Sequence, residues 1–289
     1  MVFSLNILYS QTYENQEQVS TFFSKAKKPI NVEVVRIGQE LSFFGTNNSY
    51  FSYNFELQFT TLANVSPQMQ RHSQVLLPGR SRLFSLKIFE ESNPSYSYQI
   101  KFVINGTNDA SDPNFIYLIP LAKKSVIQQN MATAGSIGFF HPIVAKDTVF
   151  ASRKGKVIGT YEIAEGDIIS QTSILEVLHD DETVASYATF APKNVEMLTD
   201  IGKTVYPGQP LFITKEEMQV IFRVFQITKE SKVKRLPIKF FILEGKHLST
   251  NEIIKGVVVS HPTKLITQEL TKREIKKYKS NSLYQNNER

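Results

Sequence analysis

Histidine would carry most of the chemistry open to this chain, and its spacing does not favour a metal site. The 289 residues include 5 His and 0 Cys. The histidines are scattered, with none at the i, i+2 or i, i+4 spacing that brings two imidazoles to one metal: His72, His141, His179, His247 and His261. The absence of cysteine excludes disulfides, thiolate metal sites and cysteine nucleophiles. The sequence also lacks the motifs typical of serine hydrolases, P-loops and dinucleotide-binding turns.

The most informative stretch runs from Val184 to Ile213 and reads VASYATFAPKNVEMLTDIGKTVYPGQPLFI. It resembles the core of the lysostaphin-type (LytM-like) zinc peptidases, which cut peptide cross-links in bacterial cell walls. That family carries Tyr-x-His, then Gly-x-x-Val-x-x-Gly-Gln. The residues that keep these scaffold positions here are Tyr187, Val195, Gly202, Val205, Gly208, Gln209 and Leu211.

The same resemblance implies a zinc site of two His and one Asp, and the residues for it are missing. Thr189 stands at the His of Tyr-x-His, and Gln219 and Ile221 stand at the two histidines of the family's His-x-His strand. His141 is the candidate for the first ligand, but the Asp that should follow it is absent. Isoleucine cannot bind zinc, and threonine and glutamine are poor ligands for it.

The sequence therefore predicts no catalytic residue, no metal and no cofactor. Five residues are instead the predicted lining of the former substrate groove and are called the remnant groove residues below: His141, Tyr187, Thr189, Gln219 and Ile221.

The formal net charge is +6, with a sequence pI near 9.2. A basic, solvated surface is the simplest interpretation. The alternative is attraction to an anionic polymer such as cell wall, outer-membrane lipid or nucleic acid. Nucleic acid ranks last, because no aromatic residues alternate with Lys and Arg in a nucleic-acid-binding pattern.

The patterning predicts an all-β protein of two domains. Within residues 31–104, four segments alternate apolar and polar side chains at period two and are predicted strands: 31–38, 50–62, 81–91 and 96–104. Turn signals such as Gly45 to Asn48 separate them, which predicts an antiparallel β-sandwich over 30–112. This part resembles, more loosely, the N-terminal β-domain of exported Bacteroidetes members of the family. Residues 115–263 are predicted to form a degenerate domain that resembles the LytM-like peptidase domain. Its segments 149–159 and 200–212 look like the two halves of a duplicated hybrid motif, which predicts a barrel-sandwich.

The two ends of the chain differ in composition from the two predicted domains. Residues 1–11 are mostly apolar and uncharged up to Ser10, which indicates the remnant of a signal peptide, with an ordinary buried strand as the alternative. No later window is long and apolar enough to predict a transmembrane helix. Residues 265–289 form a basic C-terminal tail, interpreted as a solvated extension, with a partner-docking or surface-binding tail as the alternative.

These features together predict a non-catalytic, exported protein of the periplasm or cell envelope. Its peptidase-like domain would bind a cell-wall peptide or a partner hydrolase through the remnant groove. Two alternatives stay open: an active cell-wall zinc metalloendopeptidase with a relocated site, and a purely structural envelope component.

Overall fold

The computed structural model describes residues 29–107, 112, 114–127, 139–160, 172–189, 194–242, 247–249 and 256–280. Contacts within the chain divide these residues into two compact units. Unit 1 contains the described residues up to 107 together with Ile227–Lys232, and unit 2 contains the others. The predicted signal-peptide remnant, residues 1–11, lies outside the described residues.

Unit 1 is built from antiparallel strands. The strands are β1 (Ile30–Ile37), β2 (Glu40–Asn47), β3 (Tyr53–Ala63), β4 (Val65–Ser66), β5 (Arg71–Leu76), β6 (Gly79–Ile88) and β7 (Ser95–Ile104). They form one sheet in the order β1-β2-β6-β4 and a second in the order β5-β3-β7. Buried and exposed residues alternate at the start of β1 and of β3, as expected for strands with one face in a core.

Aromatic side chains of the two sheets of unit 1 meet around Phe43, which is 0% exposed. Its ring lies 5.7 Å from that of Phe59 and 5.7 Å from that of Tyr96, both edge to face. On its own sheet Phe43 stacks on Phe84 at 4.6 Å. These rings make the core of unit 1 aromatic, which the high Phe and Tyr content of the sequence supplies.

The turn predicted at Gly45 is wrong, because Gly45 lies inside β2 and pairs with Val32 on one side and Ser81 on the other. A Cβ at this position would come within 3.0 Å of Leu83 and 3.2 Å of Leu76. Glycine at this position therefore allows close packing of the two leucine side chains, and it does not mark a chain reversal.

Unit 2 contains the other described strands. They are β8 (Ile116–Tyr117), β9 (Phe139–Ile143), β10 (Thr148–Phe150), β11 (Gly155–Thr160), β12 (Thr172–Leu178), β13 (Thr183–Thr189), β14 (Val195–Met197), β15 (Thr204–Val205), β16 (Pro210–Thr214), β17 (Met218–Ile227), β18 (Val233–Leu236), β19 (Lys239–Phe241) and β20 (His247–Ser249). The largest sheet has the order β15-β11-β12-β13-β17-β18, with β9 also pairing with β17. Two three-stranded sheets have the orders β10-β16-β14 and β20-β19-β8. The prediction of an all-β protein is confirmed.

The two segments predicted to be duplicated halves pair with each other twice. Strand β10 pairs with β16, and β11 pairs with β15, where Gly155 lies opposite Val205. A Cβ on Gly155 would lie only 2.5 Å from the Val177 side chain and 2.6 Å from the Leu178 carbonyl oxygen. The close approach of β11 to β12 therefore requires glycine at this position.

The C-terminal residues that the structure describes belong to unit 2. Two helices, α1 (Thr263–Ile266) and α2 (Lys272–Ser280), follow the last strand. Leu265 and Ile266 are buried against Leu118, and Tyr278 of α2 packs on the same cluster. Residues 265–280 are thus not wholly solvated, because Leu265, Ile266 and Tyr278 supply part of the packing. No helix among the described residues is long and apolar enough to cross a membrane.

Candidate functional site

The family-like glycines of unit 2 shape the turns that lead into β15 and β16. Gly202 has φ +85° and Gly208 has φ +79°, a conformation that glycine adopts without steric cost. The Gly208 amide donates to the carbonyl of Ala151 at 2.8 Å, and the Gln209 side chain accepts from the Tyr206 amide at 3.1 Å. The end of the Gly-x-x-Val-x-x-Gly-Gln pattern therefore holds the turn before β16 against Ala151, the residue that follows β10.

Tyr187 and Thr189 lie on the core face of β13, and both are 0% exposed. The Tyr187 hydroxyl accepts a hydrogen bond from the Ser152 amide at 2.8 Å, and burial raises the pKa of this phenol to about 12. The Thr189 hydroxyl donates to the sulfur of Met218 at 3.4 Å. The position at which the resemblance expects a zinc-binding imidazole is thus enclosed in the core, with its hydroxyl directed at a thioether.

Gln219 and Ile221 lie on the opposite face of the sheet from Thr189. In the antiparallel pairing of β13 with β17, Thr189 is opposite Val220 and Ala188 is opposite Ile221. Directly paired residues share a face and successive residues alternate, so Gln219 and Ile221 point away from the face that holds Thr189. Ile221 is 0% exposed and packs on Ala188, whereas Gln219 is half-buried.

The remnant groove residues therefore do not form one groove. His141 is also opposite Val220 and shares the face of Tyr187 and Thr189, while Gln219 and Ile221 are on the other face. The prediction that all five line a common surface is wrong. Sequence similarity aligned the strand but could not fix its pairing register, and a shift of one residue moves every side chain to the other face.

His141 is the one remnant groove residue beside a described cavity. The cavity has a volume of about 240 Å³. Its polar lining includes His141, Ser125, Asp147, Thr148 and Glu217, and the exposed Val126 and Val144 contribute aliphatic surface. One Asp147 carboxylate oxygen accepts the Val144 amide at 3.1 Å, so this carboxylate is held at the cavity by its own turn. The lining can hold amide and amino groups between acceptors and short aliphatic walls.

The residues at the positions where the resemblance expects zinc ligands do not fit zinc. Thr189 offers a buried hydroxyl that is already engaged, Ile221 has no donor atom, and Gln219 lies on the other face from both His141 and Thr189. No group of three or more His, Cys, Asp or Glu within reach of one metal ion occurs among the described residues. No reaction step through a metal can be derived from these side chains.

Among the described residues of unit 2, an extensive polar cluster surrounds Arg153, a residue to which no sequence pattern assigned a role. Its guanidinium, on a residue 4% exposed, donates to Glu269 from Nε at 2.9 Å and from Nη2 at 2.6 Å. Its Nη1 donates to Asp181 at 2.7 Å, and the group lies 3.8 Å above the ring of Phe115. Burial opposes the charge of Arg153, but the hydrogen bonds to Glu269 and the nearby carboxylates outweigh it, so its pKa is raised.

The positive charge of Arg153 contributes to lowering the pKa values of the neighbouring Asp181 and His179. Burial opposes the charge of Asp181, but hydrogen bonds from Thr183 and the positive charge of Arg153 lower its pKa. Burial, followed by the charge of Arg153, also lowers the pKa of His179. The His179 Nδ1–H donates to the Lys154 carbonyl at 2.7 Å, and Nε2 has no hydrogen-bond partner among the described residues. His179 is therefore a neutral structural residue.

A second ionic contact joins Lys154, the residue after Arg153, to helix α2. Lys154 Nζ lies 3.1 Å from Glu274, and the Tyr206 hydroxyl donates to the same carboxylate at 3.3 Å. Glu274 also accepts the Thr271 amide at 2.8 Å while its own amide donates to the Thr271 hydroxyl, which forms a capping box at the start of the helix. The Thr271 amide, with help from Lys154, lowers the pKa of Glu274 to about 2. The T-x-x-E pattern at 271–274 is the sequence signal for this helix start.

Comparison with known proteins does not assign a family. No protein-family model matches the chain, and no curated protein matches it. Among solved structures, the chain is similar to Helicobacter pylori Csd3 in an orthorhombic crystal, with 10% sequence identity over 90% of this chain and 79% of that one, at a TM-score of 0.29. The same protein in a hexagonal crystal gives 10% identity over 89% and 75%, also at a TM-score of 0.29.

Proposed function

We propose that this chain is a non-catalytic, exported protein of the periplasm or cell envelope whose unit 2 keeps a zinc-peptidase-like scaffold and binds a cell-wall peptide. The observation that carries the proposal is the enclosure of Thr189, which is 0% exposed and donates its hydroxyl to Met218. An open zinc site needs a ligand with a free lone pair and room for a water molecule. A neutral threonine hydroxyl is a poor zinc ligand, and its complete burial leaves no room for a metal-bound water beside it.

The finer architecture is part of the same proposal. We infer that unit 1 is an antiparallel β-sandwich and that unit 2 is a barrel-sandwich with a duplicated hybrid motif. The edge-to-face contacts of Phe43 with Phe59 and Tyr96 support the first inference. The reciprocal pairing of β10 with β16 and of β11 with β15 supports the second.

Peptide binding is assigned to the cavity beside His141, since the remnant groove residues lie on two faces of the sheet. The carboxylates of Asp147 and Glu217 suit the amino and amide N–H groups of a peptide, while Val126 and Val144 suit its short aliphatic side chains. Binding of this kind needs no metal, so it should survive a chelator.

The non-catalytic part is tested by metal content and hydrolysis. Protein purified without chelator should carry well below one zinc per chain, and should release no fragments from purified sacculi even after zinc is added. Stoichiometric zinc together with released cell-wall peptides would replace this proposal with that of an active metalloendopeptidase.

The binding part is tested by filling the cavity. Val144 is 58% exposed and lines the cavity, so Val144→Trp should block it without disturbing the core. Leu198→Trp is the matched control, because Leu198 is 43% exposed in the same unit and does not line the cavity. Sacculi should retain the control and not Val144→Trp, with or without EDTA. Equal retention of both variants would favour a purely structural envelope component.

Export is tested on the native protein. Mass spectrometry should find an N-terminus near Gln11 or Thr12, in a fraction outside the cytoplasm. A cytoplasmic protein that retains Met1 would contradict this part of the proposal.

A further inference from the structure

Helix α2 is attached to unit 2 by one face only. Glu274 contacts Lys154 and Tyr206, and Tyr278 packs on the cluster of Leu118, Leu265 and Ile266. Glu274, Ile275 and Tyr278 are the half-buried residues of the helix. At about 100° per residue these three positions share one side, so the helix cannot rotate without breaking these contacts.

The opposite face of α2 is cationic. Five of its nine residues are basic, and Lys272, Arg273, Lys276 and Lys277 are all exposed. The helical repeat places these four on an arc of about 140° centred opposite the attached face. Within the part of the chain that the structure describes, no ion pair joins any of the four to a carboxylate.

We propose that this cationic face of α2 docks unit 2 onto the surface of a membrane that contains anionic phospholipid. Because the helix is held by its attached face, the four positive charges on the opposite face all point away from unit 2. A flat anionic surface can contact all four at once. Basic residues held near such a surface attract its lipid headgroups and release counter-ions. Because the apolar residues of α2 face unit 2, docking is electrostatic and does not insert the helix into the hydrocarbon.

A membrane suits this face better than a nucleic acid does. Base recognition uses Asn, Gln or bidentate Arg aimed into a groove, and single strands are held by exposed aromatic rings. The cationic face of α2 consists of lysines and one arginine, while the single aromatic residue of the helix, Tyr278, is turned toward Leu118. The inference depends on this helix alone, so it can fail while the proposed non-catalytic function stands.

The test is sedimentation of the full chain with vesicles. Vesicles with one third phosphatidylglycerol should bind the protein at low salt, and vesicles of phosphatidylcholine alone should not. The variant with Lys272, Arg273, Lys276 and Lys277 all changed to Gln should bind at least about a hundredfold more weakly, since each cation near the surface contributes about fivefold. The control changes Lys87, Lys101, Lys203 and Lys215 to Gln, which removes the same charge from scattered exposed positions and should weaken binding by less than about fivefold.

Two results would overturn the proposal. Equal weakening of the two variants would show that net charge, and not this helix, attracts the protein. Binding to polyphosphate or to an oligonucleotide that exceeds vesicle binding, and that is lost only in the helix variant, would assign the face to a soluble polyanion. Circular dichroism of both variants must match the wild type, and a shift to 0.5 M salt should release the protein from the vesicles.

Discussion

Each unit has an arginine that stacks on a phenylalanine and pairs with a carboxylate, but the two arginines differ in depth. In unit 1, Arg80 lies 3.9 Å above the Phe44 ring and 3.1 Å from Glu33, with side chains that are 50% and 55% exposed. In unit 2, Arg153 lies 3.8 Å above the Phe115 ring and 2.6 Å from Glu269, with side chains 5% and 18% exposed. The distances to the rings are nearly the same, so the two sites differ in burial and in the number of carboxylates, since Arg153 also pairs with Asp181.

Burial changes what each arginine contributes. Water can replace either partner of the Arg80 pair, and salt screens it, so the pair adds little to stability. Loss of one partner of the Arg153 cluster leaves charges that are largely withdrawn from water. The buried cluster also joins residues 116 positions apart in the chain, so it ties the C-terminal segment to the sheet.

Removal of the buried cation should have the largest effect. Arg153→Gln leaves Glu269 and Asp181 without their partner, and the free energy of unfolding should fall by about 3–5 kcal/mol. Urea denaturation followed by circular dichroism measures the change. A loss below about 1 kcal/mol would mean that the cluster is hydrated in solution. The Arg153 and Arg80 sites would then not differ in their contribution to stability.

Acidification should weaken the buried cluster over a defined pH range. An unfolded histidine titrates near pH 6.5, and the pKa of His179 is lowered in the folded protein by burial and by Arg153. The unfolded chain therefore binds a proton that the folded chain does not, so the contribution of His179 is fully present above pH 6.5 and is lost as pH falls below it. The slope reaches at most about 1.4 kcal/mol per pH unit. His179→Gln should flatten this slope between pH 6.5 and 4.5, and an unchanged slope would contradict the assignment.

A neutral buried hydrogen bond should contribute less than the charged cluster does. Tyr187→Phe removes the acceptor of the Ser152 amide within the core and should cost about 1–2 kcal/mol. Tyr96→Phe is the matched control in unit 1, because Tyr96 is half-buried and its hydroxyl makes no described hydrogen bond. Equal losses of stability in the two variants would indicate that the hydrogen bond from the Ser152 amide to the Tyr187 hydroxyl contributes nothing measurable.

The exposed pair of unit 1 should show the smallest effect. Arg80→Gln should change the free energy of unfolding by less than about 0.5 kcal/mol, and by less still in 0.5 M salt. Chemical denaturation at two salt concentrations gives both values. A cost as large as that of Arg153→Gln would show that burial is not what separates the two arginines.

Much of the fold follows from local patterns, and the exceptions have identifiable causes. Period-two alternation predicted β1, β3, β6 and β7 to within a few residues, because a strand with one buried face needs only that pattern. Strand β2 was missed because its Gly45 looks like a turn residue, and the reason for that glycine lies in Leu76 and Leu83 far along the chain. The candidate site was predicted less well than the strands. Of the five remnant groove residues, only His141 lines a described cavity.

By itself the sequence determined the all-β class, and it showed Thr189 and Ile221 at positions where the resemblance to the zinc peptidases expects histidines. Composition and alternation depend only on residues close together in the sequence, so they can be recognised without knowing which strands pair in the fold. Only the tertiary structure decided that Thr189 pairs with Val220 and so faces the core, away from Gln219 and Ile221. Only the tertiary structure, too, brought Glu269 and Glu274 to Arg153 and Lys154. Strand register and long-range ion pairs depend on which distant segments meet, and no local pattern specifies that.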